Sequence, residues 1–352
     1  MKFDFHFIVT TLFVICFVFS LLINYILLRF AQTLGIRDYH LHQVRWSPSV
    51  KPSLGGISFY VVFLFAFIFT ILIPGKDTGF NLQIIGILMA STLAFLMGLA
   101  DDAFNTQPLL KFLTQIFCAL IVIFSGHSIG VFQNQFINYF LTVLWVVGLM
   151  NSVNMLDNMD GISTIASMAA CFFMVLVNIA LFNTGSYATM LNLGVLGALC
   201  GFLVYNFHPS RMFMGDTGSQ FLGLFLSVMG IDNCWNNPTS VLVEGFPVAN
   251  PVIVALVFLL PLSDTFTVIV NRSLAGNSPF IGGKDHTTHY LYFRGLSEKK
   301  IALLFALIGI VCVFLAYNLV ISFTYTLLYI SVFFVLAVTS ALYLNTVIRA
   351  RR

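Results

Sequence analysis

Long apolar runs dominate the chain, and short polar segments separate them. A helix that spans a bilayer needs roughly 20 mainly apolar residues, and eleven runs are candidates. They lie at about 7–28, 56–74, 82–100, 110–125, 138–153, 161–183, 188–206, 218–231, 252–271, 301–319 and 323–346. The pattern therefore predicts an all-α, polytopic integral membrane protein with about eleven transmembrane helices.

Composition supports this fold class. The mean hydropathy is +0.97, and only 8% of the residues are charged. A soluble domain cannot bury that much apolar surface, so the lipid bilayer is the expected partner and no nucleic acid is expected. The six cysteines show no paired spacing, which predicts neither a disulfide framework nor a zinc motif. We expect one integral domain over residues 1–352.

The distribution of basic residues predicts the orientation. With these spans, 14 of the 16 Lys and Arg residues fall on one side, and the side richer in Lys and Arg is normally cytoplasmic. The N-terminus is then outside and the C-terminus is cytoplasmic. The expected cytoplasmic active-site loops are about 29–55, 101–110, 151–161, 207–219 and 272–300. Four acidic clusters fall in these loops, because an even number of runs separates each cluster from the next.

The first cluster is Asp101-Asp102, at the end of the third run. Adjacent carboxylates repel one another, and their burial near lipid costs desolvation. A divalent cation, a lysine or a phosphate-bound metal would relieve both effects. The alternative interpretation is a solvated helix terminus.

The second cluster follows the fifth run, where Asn151, Asn154, Asp157 and Asp160 recur at every third position. On a helix they form one polar stripe. The amides can donate hydrogen bonds to phosphate or sugar oxygens, and the carboxylates can accept from hydroxyls or bind a metal. An amphipathic surface turn is the alternative.

The third cluster, Asp216-Thr-Gly-Ser219, resembles the start of a helix. Backbone N–H groups at a helix start favour an anion. The Asp216 carboxylate can hold Mg²⁺, a cation that shares its oxygen ligands with substrate phosphates. The alternative is a plain Asp N-cap.

The fourth cluster joins Lys284 and Asp285 to His286 and His289. The histidines can contact a diphosphate or transfer protons, and the two charged neighbours are candidates for substrate binding. Zinc is a weaker prediction, because it needs three or four convergent ligands and no cysteine is near. A plain interfacial loop is the alternative.

Two further features carry a prediction. Gly55 and Gly56 precede the second run and permit a tight turn or the close approach of another backbone. Asp264 lies inside the ninth run, and an intramembrane carboxylate predicts a functional site, with a buried structural hydrogen bond as the rival.

In this order, and over about residues 45–300, the motifs resemble the polyprenyl-phosphate N-acetylhexosamine-1-phosphate transferase family. The resemblance implies transfer of a HexNAc-1-phosphate, by default GlcNAc-1-phosphate, from a UDP-sugar to undecaprenyl phosphate, with release of UMP. The product would be the first lipid-linked sugar of a cell-envelope polysaccharide. The family implies Mg²⁺, with Mn²⁺ as a substitute, an active site on the cytoplasmic face of the inner membrane, and a homodimer as a candidate assembly.

The resemblance also implies roles for individual residues. Asp101 and Asp102 match an aspartate pair implicated in activating the lipid phosphate. Asp216 matches the aspartate that holds Mg²⁺, and Phe213 matches an aromatic residue that stacks on uracil. The nucleotide-binding and catalytic stripe is matched by Asn154, Asp157 and Asp160, of which the first two are further candidate metal ligands. His286 and His289 match part of the family's histidine motif.

The sequence departs from the family at two places, and it leaves other functions open. Asn158 occupies a position that is usually Gly. The loop reads Asp-His-Thr-Thr-His from Asp285 to His289, without the three successive histidines of phospho-N-acetylmuramoyl-pentapeptide transferase, which disfavours that substrate. A transporter is the main rival, although transporters place ionisable groups near mid-membrane. A catalytically silent scaffold is a third alternative.

Overall fold

The computed structural model describes residues 5–31, 51–72, 81–182, 186–239, 241–243, 246–278 and 283–350. Its helices are α1 (Phe5–Ala31), α2 (Gly55–Leu72), α3 (Leu82–Phe104), α4 (Pro108–Phe124), α5 (Gln135–Leu156), α6 (Ile162–Phe182), α7 (Tyr187–Asn206), α8 (Gly215–Gly230), α9 (Asn250–Val257), α10 (Leu259–Leu274), α11 (Thr287–Phe293), α12 (Glu298–Ile321) and α13 (Tyr325–Ala350). A π-helical segment (Ile231–Trp235) and two short strands, β1 (Leu242–Val243) and β2 (Phe246–Pro247), lie between α8 and α9.

The described helices confirm an all-α, multi-pass membrane protein. Eight of them are long and apolar enough to cross a bilayer. Helices α9 and α10 meet the same test only as a pair, and this pair is bent by 80° at Phe258. The fourth and eighth predicted runs form helices of only 17 and 16 residues. The number eleven and the orientation of the termini therefore stay predictions.

Helix α8 lies at the centre of the bundle. Every residue from Thr217 to Gly230 is buried, and the helix packs against α2, α3 and α5. The rings of Phe221 and Phe225 lie 5.3 and 6.0 Å from the ring of Phe63 on α2. Because α8 is enclosed by protein, polar residues in its first turns do not meet lipid.

Glycines bring neighbouring helices against the first turn of α8. A Cβ atom on Gly56 would lie 2.1 Å from the backbone nitrogen of Gly218, and one on Gly98 would lie 2.3 Å from the carbonyl oxygen of Asp216. Only glycine permits such an approach. The predicted close approach at Gly56 is confirmed, and it places the start of α2 and the end of α3 beside the start of α8.

The two ends of α8 differ. Beyond its C-terminal end, the π-helical segment leads to a two-stranded antiparallel sheet in which Leu242 pairs with Pro247. There Asp232 accepts a hydrogen bond from His127, with 3.0 Å between Nδ1 and Oδ1. Most of the acidic clusters predicted from the sequence gather at or near the other end of the helix.

Candidate active site

Asp102 caps the N-terminus of α8. Its carboxylate accepts hydrogen bonds from the backbone N–H groups of Asp216 (3.0 Å) and Thr217 (2.8 Å). It also accepts one from the Thr217 hydroxyl at 2.6 Å. Carboxylates favour this position, because the first N–H groups of a helix lack partners within it. The structure therefore joins the first predicted cluster to the third.

Lys111, on α4, lies between two of the predicted carboxylates. Its Nζ is 3.0 Å from Asp101 Oδ2 and 2.8 Å from Asp216 Oδ2. Asp101 also accepts a hydrogen bond from the backbone N–H of Thr106 at 2.9 Å. Lys111 is not among the residues predicted from the sequence, although it is the only charged residue in the apolar helix α4. That isolated charge was the available signal.

The polar stripe of α5 divides at this point. Asn154 Nδ2 donates to Asp216 Oδ1 at 2.6 Å and to Ser219 Oγ at 2.8 Å. Asn151 lies one turn earlier, where its Nδ2 donates to Gln115 Oε1 at 2.8 Å. Gln115 in turn donates to Gln220 Oε1 at 3.0 Å. Asn154 thus contacts the predicted metal ligand, while Asn151 belongs to a buried layer of amides beneath it.

Asp157 directly follows the last residue of α5. Burial raises its pKa to about 8, and the negative charges of Asp216, Asp102 and Asp160 contribute further. A carboxyl group with a pKa near neutral pH can hold or accept a proton during a reaction. Of the stripe, Asp157 is therefore the residue best suited to proton transfer.

Asp160 anchors the segment that precedes α8. It accepts hydrogen bonds from the Ser210 N–H (2.9 Å), the Ser210 hydroxyl (2.7 Å) and His208 Nδ1 (3.2 Å). Burial by itself would raise the pKa of Asp160, but the bonds from Ser210 and the positive charge of Lys51 hold that pKa below its usual range. These contacts give Asp160 a structural role beside its predicted catalytic one.

Lys51 and Phe213 form the side of the site nearest α2. Lys51 Nζ lies 5.0 Å from the centre of the Phe213 ring and 3.5 Å from Asp160 Oδ2. Asp160, His208 and Glu298 also place ligand atoms within 4.8 Å of one another. Because the Lys51 ammonium already neutralises Asp160, these three residues do not need a bound cation.

The histidine segment packs against the end of α5. The hydroxyl of Thr288 donates to Asn158 Oδ1, and His289 Nε2 lies 3.4 Å from the Asn158 carbonyl oxygen. His289 is only 2% exposed, and this burial lowers its pKa to about 4. The two departures from the family pattern, Asn158 and the Thr-Thr dipeptide, thus contact each other.

Two further predicted residues belong to this segment, Asp285 and Lys284. Arg272 holds Asp285 through two hydrogen bonds of 2.6 Å, a bidentate geometry that is strong for a guanidinium and a carboxylate. Burial would raise the pKa of Asp285, but the Arg272 guanidinium lowers it. Lys284 is exposed. Asp285 therefore positions the loop, while Lys284 lies at the surface, where a ligand can reach it.

The donor set at the head of α8 fits a divalent cation. Four carboxylates, those of Asp101, Asp102, Asp157 and Asp216, influence one another here, whereas Lys111 is the ammonium that bridges two of them. The excess of negative charge favours a cation, and carboxylate oxygens are the ligands that Mg²⁺ prefers.

This protein is thus a multi-pass membrane protein. Its candidate site is a cluster of carboxylates at one end of the helical bundle. The sequence profile of glycosyl transferase family 4 matches residues 84–233. This match supports the family that the resemblance predicted. The matched region includes every carboxylate described above except Asp264, Asp285 and Glu298.

Several curated proteins are similar to this chain. The probable undecaprenyl-phosphate N-acetylglucosaminyl 1-phosphate transferase of Bacillus subtilis is 29% identical over 311 residues, which cover 85% of this chain and 82% of the relative. The decaprenyl-phosphate N-acetylglucosaminephosphotransferase of Mycolicibacterium smegmatis is 28% identical over 302 residues, 78% of this chain and 72% of the relative. The phospho-N-acetylmuramoyl-pentapeptide-transferase of Carboxydothermus hydrogenoformans is 28% identical over 301 residues, which cover 76% of this chain and 84% of the relative.

Proposed function

We propose that this protein transfers a HexNAc-1-phosphate, by default GlcNAc-1-phosphate, from a UDP-sugar to a polyprenyl phosphate such as undecaprenyl phosphate. The observation that carries the proposal is the position of Lys111 between Asp101 and Asp216 at the head of α8. This charged cluster lies at the ends of apolar helices, where the phosphate of a lipid meets water. The names of the first two relatives support the same acceptor class.

In the proposed reaction, an oxygen of the acceptor phosphate attacks the phosphorus that carries the sugar. The bond from that phosphorus to the bridging oxygen breaks, and UMP leaves with the oxygen. Such transfers depend on positioning and on charge neutralisation more than on covalent work by the protein. The chain must therefore hold two anionic substrates close together.

The proposed cofactor is Mg²⁺, with Mn²⁺ as a substitute, and the clustered carboxylates support this choice. Asp216 would hold it, with Asn154 and Asp157 as further candidate ligands, and when bound it neutralises phosphate oxygens. Lys111 adds a positive charge beside the same carboxylate. Asp102 keeps the N–H groups of α8 in place, and Asp157 is the candidate to accept a proton from the acceptor phosphate.

The donor would lie between this cluster and the segment that precedes α8. Phe213 offers a ring face for stacking on uracil, and Lys51 and Lys284 offer ammonium groups to the phosphates. The Lys and Arg distribution supports a site on the cytoplasmic face of the inner membrane. A homodimer stays a candidate assembly.

The proposal is tested with the purified protein in detergent, undecaprenyl phosphate and a panel of UDP-sugars. We expect release of UMP with UDP-GlcNAc or a related UDP-HexNAc, loss of release on chelation with EDTA, and recovery when Mg²⁺ is added back. Release from UDP-MurNAc-pentapeptide alone would favour the muramoyl branch. Solute uptake by proteoliposomes without any UMP release would favour the transporter alternative.

A further inference from the structure

Asp264 is a buried carboxylate outside the cluster at the head of α8. It lies in α10 and has no exposed surface. Its Oδ1 accepts hydrogen bonds from the backbone N–H (2.8 Å) and the hydroxyl (2.7 Å) of Thr287, and its Oδ2 lies 2.8 Å from His286 Nδ1. Both oxygens are therefore used to hold the start of α11.

A bend in the chain precedes the helix that carries Asp264. The direction of the chain changes by 80° between α9 and α10, so Asp264 belongs to a helix that packs against α5, α11 and α13. The carboxylate predicted inside the ninth run meets the histidine segment. As a buried hydrogen-bond acceptor, Asp264 contacts two residues of that segment, His286 and Thr287.

The Asp264 contact selects one tautomer of His286. A carboxylate that already accepts two hydrogen bonds on Oδ1 acts as an acceptor on Oδ2 as well, so the proton of His286 lies on Nδ1. Nε2 is then the ring nitrogen available to a ligand. The His286 ring lies 5.3 Å from the His289 ring, and His289 contacts Asn158, the residue after Asp157.

We propose that Asp264 is a positioning residue, which fixes the orientation and the Nδ1-protonated tautomer of His286 so that Nε2 serves the transfer reaction. This inference rests on the proposed function. An aspartate that holds a histidine in one tautomer contributes to catalysis without touching the substrate. Asp264 and His286 then act as a unit, although they lie 22 positions apart in the sequence.

The test compares Asp264→Asn with His286→Gln and with the double variant, each assayed for UMP release. Asparagine keeps the volume of aspartate but can donate to Nδ1 and so favours the other tautomer. We expect kcat to fall at least about tenfold, with the KM for the UDP-sugar within about twofold. The double variant is expected to be no slower than His286→Gln alone, because residues that act through one another are not additive.

The protein offers a matched control in Asp232→Asn. Asp232 pairs with His127 in a similar way, but it lies past the other end of α8, about 24 Å along a 16-residue helix. We expect this variant to keep the wild-type kcat. A purely structural role for Asp264 predicts instead that its variant and His286→Gln lower kcat independently, or that they lower only the melting temperature.

Nitrogen NMR of the wild-type protein labelled at histidine gives a second readout that needs no activity. The His286 signals, assigned by their loss in His286→Gln, are expected to show a protonated Nδ1. An unprotonated Nδ1, or a normal kcat in Asp264→Asn, overturns the inference. A wild-type protein that releases no UMP from any UDP-sugar overturns the proposed function instead, and the NMR result still decides the tautomer.

Discussion

Lys111 donates a hydrogen bond to Asp216, with 2.8 Å between Nζ and Oδ2, across 105 positions of the sequence. The same ammonium reaches Asp101, so one basic residue links the ends of α3 and α8. Its side chain is only 16% exposed. A buried ammonium is stable only when it is paired, which makes Lys111 part of both the fold and the candidate site.

Replacing this lysine should lower transfer and stability together. In Lys111→Gln, the buried Asp101 and the partly buried Asp216 lose their cation, and breaking these pairs costs at most about 3 kcal/mol. We expect UMP release to fall at least about tenfold, the effect of losing one charged hydrogen bond in the transition state. The control is Lys299→Gln, which removes an exposed ammonium. Equal activity of the two variants would exclude Lys111 from the site.

Asp216→Asn should abolish transfer while the protein still folds and inserts. The amide oxygen can still accept the hydrogen bond from Asn154, but the ion pair with Lys111 is lost, so we expect a folded protein with a lower melting temperature. The negative charge is lost, and with it the expected hold on Mg²⁺. The measurement is UMP release against Mg²⁺ concentration, with the melting temperature as a check on folding. Substantial activity at ordinary Mg²⁺ would remove Asp216 from the metal site.

Cysteine labelling can decide the orientation. On a background without the six native cysteines, Lys284→Cys should react with an impermeant reagent only after the cells are opened. Leu242→Cys, on the strand beyond the other end of α8 and 64% exposed, should react in intact cells. Lys284 and Leu242 are both surface positions, so their difference reports the side of the membrane. Labelling of position 284 from outside would refute the predicted topology.

His289 should make stability depend on pH. Its pKa falls from an ordinary 6.5 to about 4 in the folded protein, so the unfolded chain binds more protons between these values. The contribution of His289 to the free energy of unfolding is fully present above pH 6.5 and is lost as the pH falls toward 4. This contribution amounts to roughly 3 kcal/mol at most. Melting temperatures from about pH 7 to about pH 4 should therefore fall less steeply in His289→Gln than in the wild type.

The same variant separates a catalytic from a structural role of His289. If the ring contacts a phosphate, turnover per folded molecule should fall about ten- to hundredfold, and added zinc should not restore it. If His289 only fixes the loop through Asn158, the melting temperature should fall with near-normal turnover. Normal turnover in a destabilised variant would therefore defeat the catalytic interpretation.

The pattern of apolar residues was sufficient to predict most helices, because a membrane-spanning segment needs a long run without charges. The runs 188–206 and 301–319 correspond closely to α7 (Tyr187–Asn206) and α12 (Glu298–Ile321). The break at Phe258 could not be predicted in this way. Apolar residues continue through the bend, and hydropathy does not report a change of backbone direction.

Residue chemistry was likewise the basis for choosing Asp101, Asp102, Asp216 and Asn154 as candidate site residues, since carboxylates and amides are rare beside lipid. Their partners were decided only by tertiary packing. The pairing of Lys111 with Asp216, and of His286 with Asp264, joins helix ends that are remote in the sequence. The pattern of apolar runs determines which segments leave water. Which charges meet is determined by packing, because Gly56 and Gly98 let α2 and α3 approach the first turn of α8 closely.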